Sequence, residues 1–406
     1  MRRRSIALLT VALYGCSDQP QITQPGELAL KAGRPISQRF YEVVRLPSLG
    51  GSDSRAGAIN NRGWVAGVSH TASGTRRAVL WRGGTVISLG SLGGPASTVA
   101  RPGINNHGMI VGVSHTLEVD PLNEEWSCEF TGVLPPTNPR LACRGFWWEK
   151  GVIHELPTLG GTHAFANSVN SRGQIVGWAE TTVHDPTCAD AQILQFRGVL
   201  WEPKHGRVQE LPQFPGDSAA AATGINNKGQ IVGISGDCDQ AAGRFSARRM
   251  VLWENGAVKE IPHLGGTTWH TPWAINERGD VVGFSNLPEP GDPGAFNSHA
   301  FLWKHGSSAS KDLGTLDDDL FSQANGINGR GQVIGVSHGG SHGLRAFLWE
   351  DTLMNLNDLM ELGPDEVFEL AADINDSGQI VGRLFNRVTG ERTAIIANPT
   401  HRKPRP

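Results

Sequence analysis

Four cysteines are the residues of this chain best suited to metal or redox chemistry: Cys128, Cys143, Cys188 and Cys238. Metal centres built on cysteine use closely spaced ligands such as Cys-x-x-Cys, and neither that spacing nor a Cys/His cluster occurs in the sequence. We therefore predict no metal site and no cofactor. An even number of cysteines in an exported protein indicates disulfides instead. Four cysteines allow three pairings, of which we predict Cys128–Cys143 and Cys188–Cys238.

Histidine and tryptophan side chains form a second group of candidates. His163, Trp269 and His270 each follow a Gly-Gly step, and Trp126 lies in the longest stretch without repeated residues. An exposed tryptophan beside polar groups can stack on a sugar ring or anchor a protein partner. We predict that these four residues bind a ligand. The alternative is that they pack the loops in which they lie.

No catalytic constellation can be recognised in the sequence. It offers no Ser/His/Asp order, no phosphate-binding glycine loop and no spaced pair of carboxylates. The run Asp317–Asp319 lacks the alternating ligand spacing of a calcium-binding loop. The formal net charge is −3 and no stripe of lysine or arginine is present, so we predict no binding of nucleic acid.

These candidates are positioned by a unit that occurs seven times. Each unit contains an aliphatic residue followed by asparagine, a glycine three residues later and a second glycine four residues after the first. The asparagines are Asn60, Asn105, Asn170, Asn226, Asn276, Asn328 and Asn375. The glycine pairs are Gly63 and Gly67, Gly108 and Gly112, Gly173 and Gly177, Gly229 and Gly233, Gly279 and Gly283, Gly331 and Gly335, and Gly378 and Gly382.

The spacing within the unit has a physical reason. Asn-x-x-Gly is the sequence of a type I turn with glycine where φ must be positive, and such a turn joins two antiparallel strands. We therefore interpret the asparagine as a structural residue. A third strand ends in tryptophan in six units, and we expect this residue to pack between neighbouring sheets. The seventh unit has Ala397 at that place, and the tryptophans are Trp81, Trp148, Trp201, Trp253, Trp303 and Trp349.

A fourth strand precedes the next Leu-Gly-Gly step, and its first copy, Tyr41–Leu46, comes before the first unit. The later copies are predicted at Thr85–Leu89, Val152–Leu156, Val208–Leu211, Val258–Ile261, Ser310–Leu313 and Leu353–Leu356. A repeat of 45 to 65 residues with four strands is the size of a propeller blade. We predict an all-β fold over residues 39–398: a seven-bladed β-propeller of four-stranded blades, closed by the N-terminal strand. An open β-solenoid is the alternative.

The connections between second and third strands differ most among the units. Fourteen residues separate Gly67 from Trp81 in the first unit, whereas 36 separate Gly112 from Trp148 in the second. In a propeller these loops and the Leu-Gly-Gly connectors share one face, and variable loops on one face often bind the ligand. Two cysteines share the loop of unit two, and the other two occupy the matching loops of units three and four, which is the basis of our disulfide pairing.

The N-terminal segment 1–16 is predicted to be an export signal. Three arginines precede a short apolar stretch, Ile6–Leu13, which is too short to span a bilayer. The segment ends in Leu13-Tyr14-Gly15-Cys16 and resembles the lipobox of bacterial lipoproteins, which implies lipidation of Cys16. An ordinary signal peptide is the alternative. Residues 17–38 are predicted to form a flexible tether, and residues 399–406 a frayed tail.

The repeated unit resembles the bacterial extracellular HAF repeat. That family is named for His-Ala-Phe before the Leu-Trp step, as in His299-Ala300-Phe301, and also carries Leu-Gly-Gly, Ile-Asn and Gly-x-Val-Val-Gly. The resemblance covers roughly residues 41 to 397. It implies an exported bacterial repeat protein with a propeller fold and no common activity.

We expect an outer-membrane-anchored lipoprotein, periplasmic or on the cell surface, held to the membrane only by its N-terminal lipid. Its predicted function is non-enzymatic binding of an unidentified protein or glycan, by a monomer, through the long-loop face. The alternatives are a polysaccharide-acting hydrolase or lyase on a propeller scaffold, or a structural protein of the cell envelope. An apolar, tryptophan-lined rim would favour the binding module, and acidic residues clustered with histidine at the channel mouth would favour the enzyme.

Overall fold

The computed structural model describes residues 40–124, 133–189, 192–239, 243–288 and 296–401. The predicted export signal with Cys16, the tether at 17–38, Trp126 and Cys128 lie outside these residues. The described chain forms 28 strands and two short 3-10 helices, Pro203–His205 and Leu356–Leu359. No described helix is long and apolar enough to cross a membrane. The fold class is all-β, as predicted.

The strands form seven antiparallel sets of four, which we call sheets 1 to 7. The innermost strands are Gly50–Ile59 (β2), Ser97–Ile104 (β6), Gly160–Val169 (β10), Ala219–Ile225 (β14), Thr271–Ile275 (β18), Phe321–Ile327 (β22) and Glu366–Ile374 (β26). The second strands are Val65–Thr71 (β3), Ile110–Val119 (β7), Ile175–His184 (β11), Ile231–Gly236 (β15), Val281–Asn286 (β19), Val333–His338 (β23) and Ile380–Asn386 (β27).

The outer half of each sheet contains the third and fourth strands. The third strands are Arg76–Arg82 (β4), Leu141–Glu149 (β8), Leu194–Glu202 (β12), Arg249–Glu254 (β16), Ser298–Trp303 (β20), Arg345–Glu350 (β24) and Arg392–Thr400 (β28). The fourth strands are Thr85–Gly90 (β5), Val152–Glu155 (β9), Arg207–Glu210 (β13), Ala257–Ile261 (β17), Lys311–Gly314 (β21), Thr352–Asn355 (β25) and, for sheet 7, Phe40–Arg45 (β1).

The N-terminal strand completes the last sheet, as predicted. β1 pairs antiparallel with β28, from Phe40 opposite Thr400 to Arg45 opposite Ile395. A single parallel bridge between Asp53 and Arg392 brings sheets 7 and 1 together. The prediction that the tail begins at residue 399 was wrong by two residues, because the first residues of β1 offer pairing partners as far as Thr400.

The seven repeated asparagines form a closed belt. In every turn the glycine three residues after asparagine has a φ between 74° and 91°, as the turn requires. Each asparagine Oδ1 accepts hydrogen bonds from the backbone N–H groups two and four residues later. Each Nδ2 donates to the backbone carbonyl of the asparagine in the next sheet, until Asn375 donates to Asn60 at 3.1 Å. The belt therefore joins all seven sheets in a ring.

The second repeated glycine is needed for close contact between the first and second strands. A Cβ on Gly283 would lie 2.0 Å from the backbone oxygen of Thr271 on β18. The equivalent distance is 1.8 to 2.1 Å in the other six sheets. Distances this short exclude any side chain, so the glycine follows from the sheet geometry at the bulge of each innermost strand.

The repeated tryptophans pack between sheets, as predicted. The six side chains are only 0 to 8% exposed. Trp201 of sheet 3, for example, packs against Met109 and Val111 of sheet 2. Three of the indole N–H groups donate to the carbonyl of the proline just before a Leu-Gly-Gly or equivalent step, namely Trp81 to Pro47, Trp201 to Pro157 and Trp253 to Pro212. Each tryptophan thus stabilises a sheet boundary.

The two faces of the ring differ in composition. The asparagine turns lie at one end of the sheets, which we call the turn face. A cavity of about 170 Å³ opens there at the centre of the ring and is lined by residues from all seven innermost strands and their turns. The connections from second to third strands, and from each fourth strand to the next sheet, lie at the opposite end, which we call the loop face.

Candidate functional site

Three aromatic side chains on the loop face of sheets 5 and 6, Trp269, Phe296 and Phe321, form what we call the aromatic rim. The ring centroids of Trp269 and Phe296 are 5.7 Å apart in an edge-to-face arrangement, and those of Phe296 and Phe321 are 5.8 Å apart. All three side chains are half-buried. The rim therefore offers apolar ring surface to solvent at the end of the channel where the loops vary.

The aromatic rim continues inward to the innermost strand. Phe284 on β19 lies 5.8 Å from the Phe296 ring and 6.3 Å from the ring of Trp273 on β18. The indole Nε1 of Trp273 is buried and has no hydrogen-bond partner among the described residues. Edge-to-face and tilted ring contacts of this kind hold the side chains in fixed orientations. A ligand at the rim would meet a rigid surface.

The backbone of Trp269 is strained. Its φ is +61°, a left-handed conformation that bulky residues rarely adopt and that costs roughly 1–2 kcal/mol. Strain of this kind persists only where surrounding contacts enforce it, and it clusters at binding and catalytic sites. The sequence predicted Trp269 as a ligand-binding residue. The structure places it on the loop face, half-buried and in this strained conformation.

His270, the residue after Trp269 and the second ligand-binding candidate of this connector, is fully buried. Its Nδ1 lies 2.9 Å from Ser285 Oγ, its Nε2 lies 3.2 Å from the Gly266 carbonyl, and its ring stacks on His263. Burial, followed by the neighbouring charge of His263, lowers the pKa of His270 to about 3. The side chain is therefore neutral at pH 7 and supports the fold of the connector beneath Trp269.

His163, another of the ligand-binding candidates, is also buried. The Leu-Gly-Gly step of its unit is not a free connector, because β10 already begins at Gly160. His163 Nε2 lies 3.3 Å from Asp120 Oδ2, and Nδ1 accepts a hydrogen bond from the backbone N–H of Cys143 at 3.1 Å. The side chain is thus held between the long loop of unit two and sheet 3.

Three buried carboxylates surround His163: those of Asp120, Glu124 and Glu180. Glu180 Oε2 accepts a hydrogen bond from the backbone N–H of His163 at 2.7 Å, and Glu124 Oε1 accepts two from backbone N–H groups at the entry to β12. Burial, followed by the charge of Glu180, raises the pKa of Glu124 to about 7. Burial alone would raise the pKa of Asp120, but hydrogen bonds from His163 and from backbone N–H groups lower it.

Asp120, Glu124 and His163 are the described residues whose grouping could hold a metal ion, since one ligand atom of each lies within 4.8 Å of the others. The hydrogen bonds of the imidazole disfavour this role. Because the N–H of Cys143 donates to Nδ1, the proton of the neutral ring lies on Nε2, which faces Asp120. A metal at Nε2 would displace that proton and disrupt the Cys143 hydrogen bond. The arrangement is a buried acid–histidine network that ties the unit-two loop to sheet 3.

The predicted disulfide between Cys188 and Cys238 is confirmed. It joins the loop after β11 to the loop after β15, so it links the loop faces of sheets 3 and 4. Cys143 is also disulfide-bonded. Because Cys128 lies outside the described residues, the pairing Cys128–Cys143 stays a prediction.

The aspartates at 317–319 serve local contacts. Arg345 Nη1 lies 2.7 Å from Asp317 Oδ2, and Arg345 Nη2 lies 2.9 Å from Asp319 Oδ2. Asp318 Oδ2 accepts hydrogen bonds from the hydroxyl and the backbone N–H of Ser341. These contacts order the loops of sheet 6 next to the aromatic rim.

Sequence reasoning missed Phe284 and Phe296 as members of the site. Phe284 occupies a repeat position that is apolar in most units, so only its size distinguishes it. Phe296 lies in an insertion without a repeated counterpart, and nothing in its sequence context indicates that it contacts Trp269. Trp126, the fourth predicted ligand-binding residue, lies outside the described residues.

Comparisons with known proteins give information about the fold only. No protein-family model matches this sequence, and no curated protein matches it. Among solved structures it is similar to Pyrococcus horikoshii acylaminoacyl peptidase, with 12% identity, a TM-score of 0.47 and coverage of 89% of this chain and 52% of that chain. It is also similar to the β-propeller domain of the Trilobed protease from Pyrococcus furiosus, with 9% identity, a TM-score of 0.49 and coverage of 86% and 99%.

A third similar structure is Trypanosoma rangeli sialidase, with 10% identity, a TM-score of 0.41 and coverage of 87% of this chain and 59% of that chain. This chain spans about half the length of the peptidase named above. Identities of 9 to 12% carry no information about activity, so the site must be interpreted from its own residues.

Proposed function

We propose that this protein is a non-enzymatic binding module that takes a glycan or protein ligand on the aromatic rim of its loop face. The observation that carries the proposal is the set of half-buried rings around Trp269, whose indole packs edge-to-face on Phe296 and whose backbone is strained. Rigid aromatic side chains supply contact area at low entropic cost and dominate binding energy at interfaces. Sugar rings and apolar protein side chains are both suitable occupants.

The surroundings of the aromatic rim add apolar surface. Leu320, next to Phe321, is 58% exposed, and Leu344 on the neighbouring loop is 42% exposed. Exposed apolar side chains that cluster beside half-buried aromatic rings are typical of interaction sites. Both leucines lie on the loop face of sheet 6, so the contact surface extends from sheet 5 to sheet 6.

A polysaccharide-acting hydrolase or lyase is the second candidate. Such an enzyme needs carboxylates that reach the substrate, usually as an acid and a base or nucleophile. The acidic residues that gather around His163 are 0 to 4% exposed and are engaged in hydrogen bonds with the loop and sheet 3. This cluster therefore gives the enzymatic alternative no accessible acid–base pair.

Export and membrane anchoring complete the proposal. They rest on the sequence of residues 1–16, which resembles a lipoprotein signal with Cys16 as the lipidated residue, and on the resemblance of the repeat to the extracellular HAF family. The disulfide Cys188–Cys238 is in keeping with an oxidising compartment outside the cytosol. Metabolic labelling with a radioactive fatty acid, with Cys16→Ser as control, tests the anchor: absence of label in the wild type would contradict it.

The binding proposal is tested by a glycan array probed with the full chain, followed by incubation with the same glycans and analysis of the products. We expect selective binding without turnover. Cleavage of a bound glycan would overturn the proposal in favour of the enzyme. If neither binding nor cleavage of any glycan occurs, cross-linking on intact cells decides between a protein partner contacted through the rim and a structural role in the envelope.

A further inference from the structure

A group of arginines lies on the inner two strands of sheets 7, 1 and 2, at places where the repeat is broken. Arg55 on β2 is opposite Val68, and Arg383 on β27 is opposite Leu370, so the two arginines occupy the same ladder level in the adjacent sheets 1 and 7. At the position of Arg383 the other six sheets have apolar residues, namely Val68, Val113, Trp178, Ile234, Phe284 and Val336.

A third arginine, Arg101, lies in an irregularity that occurs in sheet 2 alone. Seven residues separate Thr98, the partner of Val113, from Asn105, whereas five residues separate the equivalent positions in each other sheet. The two additional residues form a wider bulge in β6. Arg101 Cγ lies 3.4 Å from the place of a Cβ on Gly57, so its side chain packs over β2, the strand of Arg55.

The positive charges of this group exceed the nearby negative ones, which are those of Glu369 and Asp53. Glu369 Oε1 lies 2.5 Å from Arg383 Nε and 3.6 Å from Arg392 Nε, so one carboxylate is shared by two guanidinium groups. Neither Arg55 nor Arg101 makes a side-chain hydrogen bond or a close ion pair in the described part of the chain. Arg55 Nε is buried without a partner, which is costly for a charged group.

The pKa values of Arg55 and Arg101 reflect this excess of positive charge. Burial, followed by the like charges of Arg101, Arg383 and Arg76, lowers the pKa of Arg55 to about 9, although the charge of Asp53 opposes the shift. Burial, followed by the charge of Arg383, lowers the pKa of Arg101 to about 10. Both groups are still protonated at pH 7. Protein surrounds them densely, yet solvent reaches part of each side chain, so an ion from solution has access.

We propose that the space between Arg55, Arg101 and Arg383 binds an oxyanion, a carboxylate or sulfate group, carried by a free anion or by an acidic sugar. Guanidinium groups present paired N–H donors that match the two oxygens of such a group, and they bind it more strongly than neutral donors. The bound anion would offset the positive charge that Glu369 and Asp53 leave uncompensated. This site involves sheets 7, 1 and 2 and does not depend on the aromatic rim of sheets 5 and 6.

The test is isothermal titration calorimetry of the full chain with sodium sulfate, sodium glucuronate and neutral glucose, each at a constant ionic strength set with sodium chloride. We expect one binding event with sulfate or glucuronate and none with glucose. Arg55→Gln and Arg101→Gln should each lower the affinity about tenfold or more, since each removes a hydrogen-bond donor to a charged group. A preference for glucuronate over sulfate would identify an acidic sugar as the carrier of the bound group. Sulfate binding that is equal or stronger would identify a free anion as the ligand.

Arg207→Gln, on the exposed outer strand of sheet 3, is the matched control and should bind like the wild type. Circular dichroism melting separates binding from folding: Arg55→Gln removes an uncompensated charge, so its Tm without anion should equal or exceed that of the wild type. Absence of oxyanion binding to the wild type would overturn the proposal. So would wild-type affinity in both glutamine variants.

Discussion

The turn face and the loop face of this ring are built from the same seven units, yet only the turn face repeats faithfully. On the turn face every sheet contributes the same asparagine, the same glycine with positive φ and the same hydrogen bond to the next sheet. On the loop face sheet 2 carries a long insertion, sheets 3 and 4 share a disulfide, and sheets 5 and 6 present aromatic rings. Residues that repeat therefore build the ring, and residues that differ are the candidates for function.

The same contrast holds inside single sheets. The second repeated glycine permits close contact of the first two strands in every sheet, while the residue directly after it varies. That residue is Phe284 beside the aromatic rim and Arg383 in the arginine group. One ladder position thus contributes a side chain to the surroundings of each candidate binding surface: Phe284 contacts Phe296 of the rim, and Arg383 belongs to the arginine group.

The largest effect is expected from Gly283→Ala, which tests whether the repeated residues carry the fold. The added Cβ would lie 2.0 Å from the backbone oxygen of Thr271 and 2.8 Å from the Cα of Pro272, and neither atom can rotate away. We expect a loss of more than about 3 kcal/mol in the free energy of unfolding. Gly198→Ala is the control, since its nearest neighbour would lie at an ordinary 3.4 Å. Urea denaturation measures both, and similar losses would contradict the geometric explanation.

Removal of one belt member, Asn276→Ala, should have the next largest effect. It deletes the hydrogen bonds that Nδ2 donates to the carbonyl of Asn328 and to Asp280 Oδ2, and the two that Oδ1 accepts within its own turn, all of them buried or partly buried. At about 1 kcal/mol per net hydrogen bond, the loss should be about 2–4 kcal/mol. Asn227→Ala, an exposed asparagine of the neighbouring turn, should cost below about 1 kcal/mol. If thermal melting showed equal losses of stability in Asn276→Ala and Asn227→Ala, the belt hydrogen bonds would not contribute to stability.

Asp373 lies two residues before the belt asparagine of sheet 7, at a position where the innermost strands differ between sheets. It predicts that the stability of the protein depends on pH. The side chain closes the ring by accepting a hydrogen bond from the backbone N–H of Ile59 on sheet 1 at 2.8 Å. Burial raises the pKa of Asp373 to about 7, although backbone hydrogen bonds oppose the shift. The other sheets have Ala58, Gly103, Ser168, Gly224, Ala274 and Gly326 at the equivalent position.

Because the native state binds this proton more tightly than the unfolded state, Asp373 contributes stability below about pH 4 that is lost as the pH rises through about 7. A tenfold difference in proton affinity is worth about 1.4 kcal/mol. Between pH 4 and pH 7.5 the free energy of unfolding of the wild type should therefore fall by at least about 1 kcal/mol more than that of Asp373→Asn, as measured by urea denaturation. Parallel curves for the wild type and Asp373→Asn would show that Asp373 is ionised throughout.

Sequence reasoning succeeded where the physics is local and repeated. The Asn-x-x-Gly turn, the strand order, the N-terminal strand that completes sheet 7 and the Cys188–Cys238 disulfide all follow from spacing alone. The role of the asparagine was predicted only in part. Its Nδ2 bonds to a carbonyl about 50 residues away, and that contact exists only once the ring has closed.

Sequence reasoning could not predict burial that is decided by contacts between units. His163 and His270 follow Gly-Gly steps that we predicted as loop-face connectors, and their burial comes from other segments: Asp120 at the start of the long loop of unit two contacts His163, and His270 packs on His263. Arg383 could have been found from the sequence, because a charged residue at an otherwise apolar repeat position is a clear departure. Arg101 could not, because its position depends on a bulge in β6 that only the strand register shows.

The central claim is that ligand binding belongs to the loop face and not to the repeated turn face. It is tested most directly by replacing one tryptophan on each face with alanine, in separate variants. Trp64, on a turn of sheet 1, is half-buried and has the guanidinium groups of Arg62 and Arg82 over its ring, and Trp269 is half-buried at the aromatic rim. On the glycan array we expect Trp269→Ala to lower binding about tenfold or more and Trp64→Ala to leave it unchanged. Binding lost with Trp64→Ala and retained with Trp269→Ala would contradict the assignment.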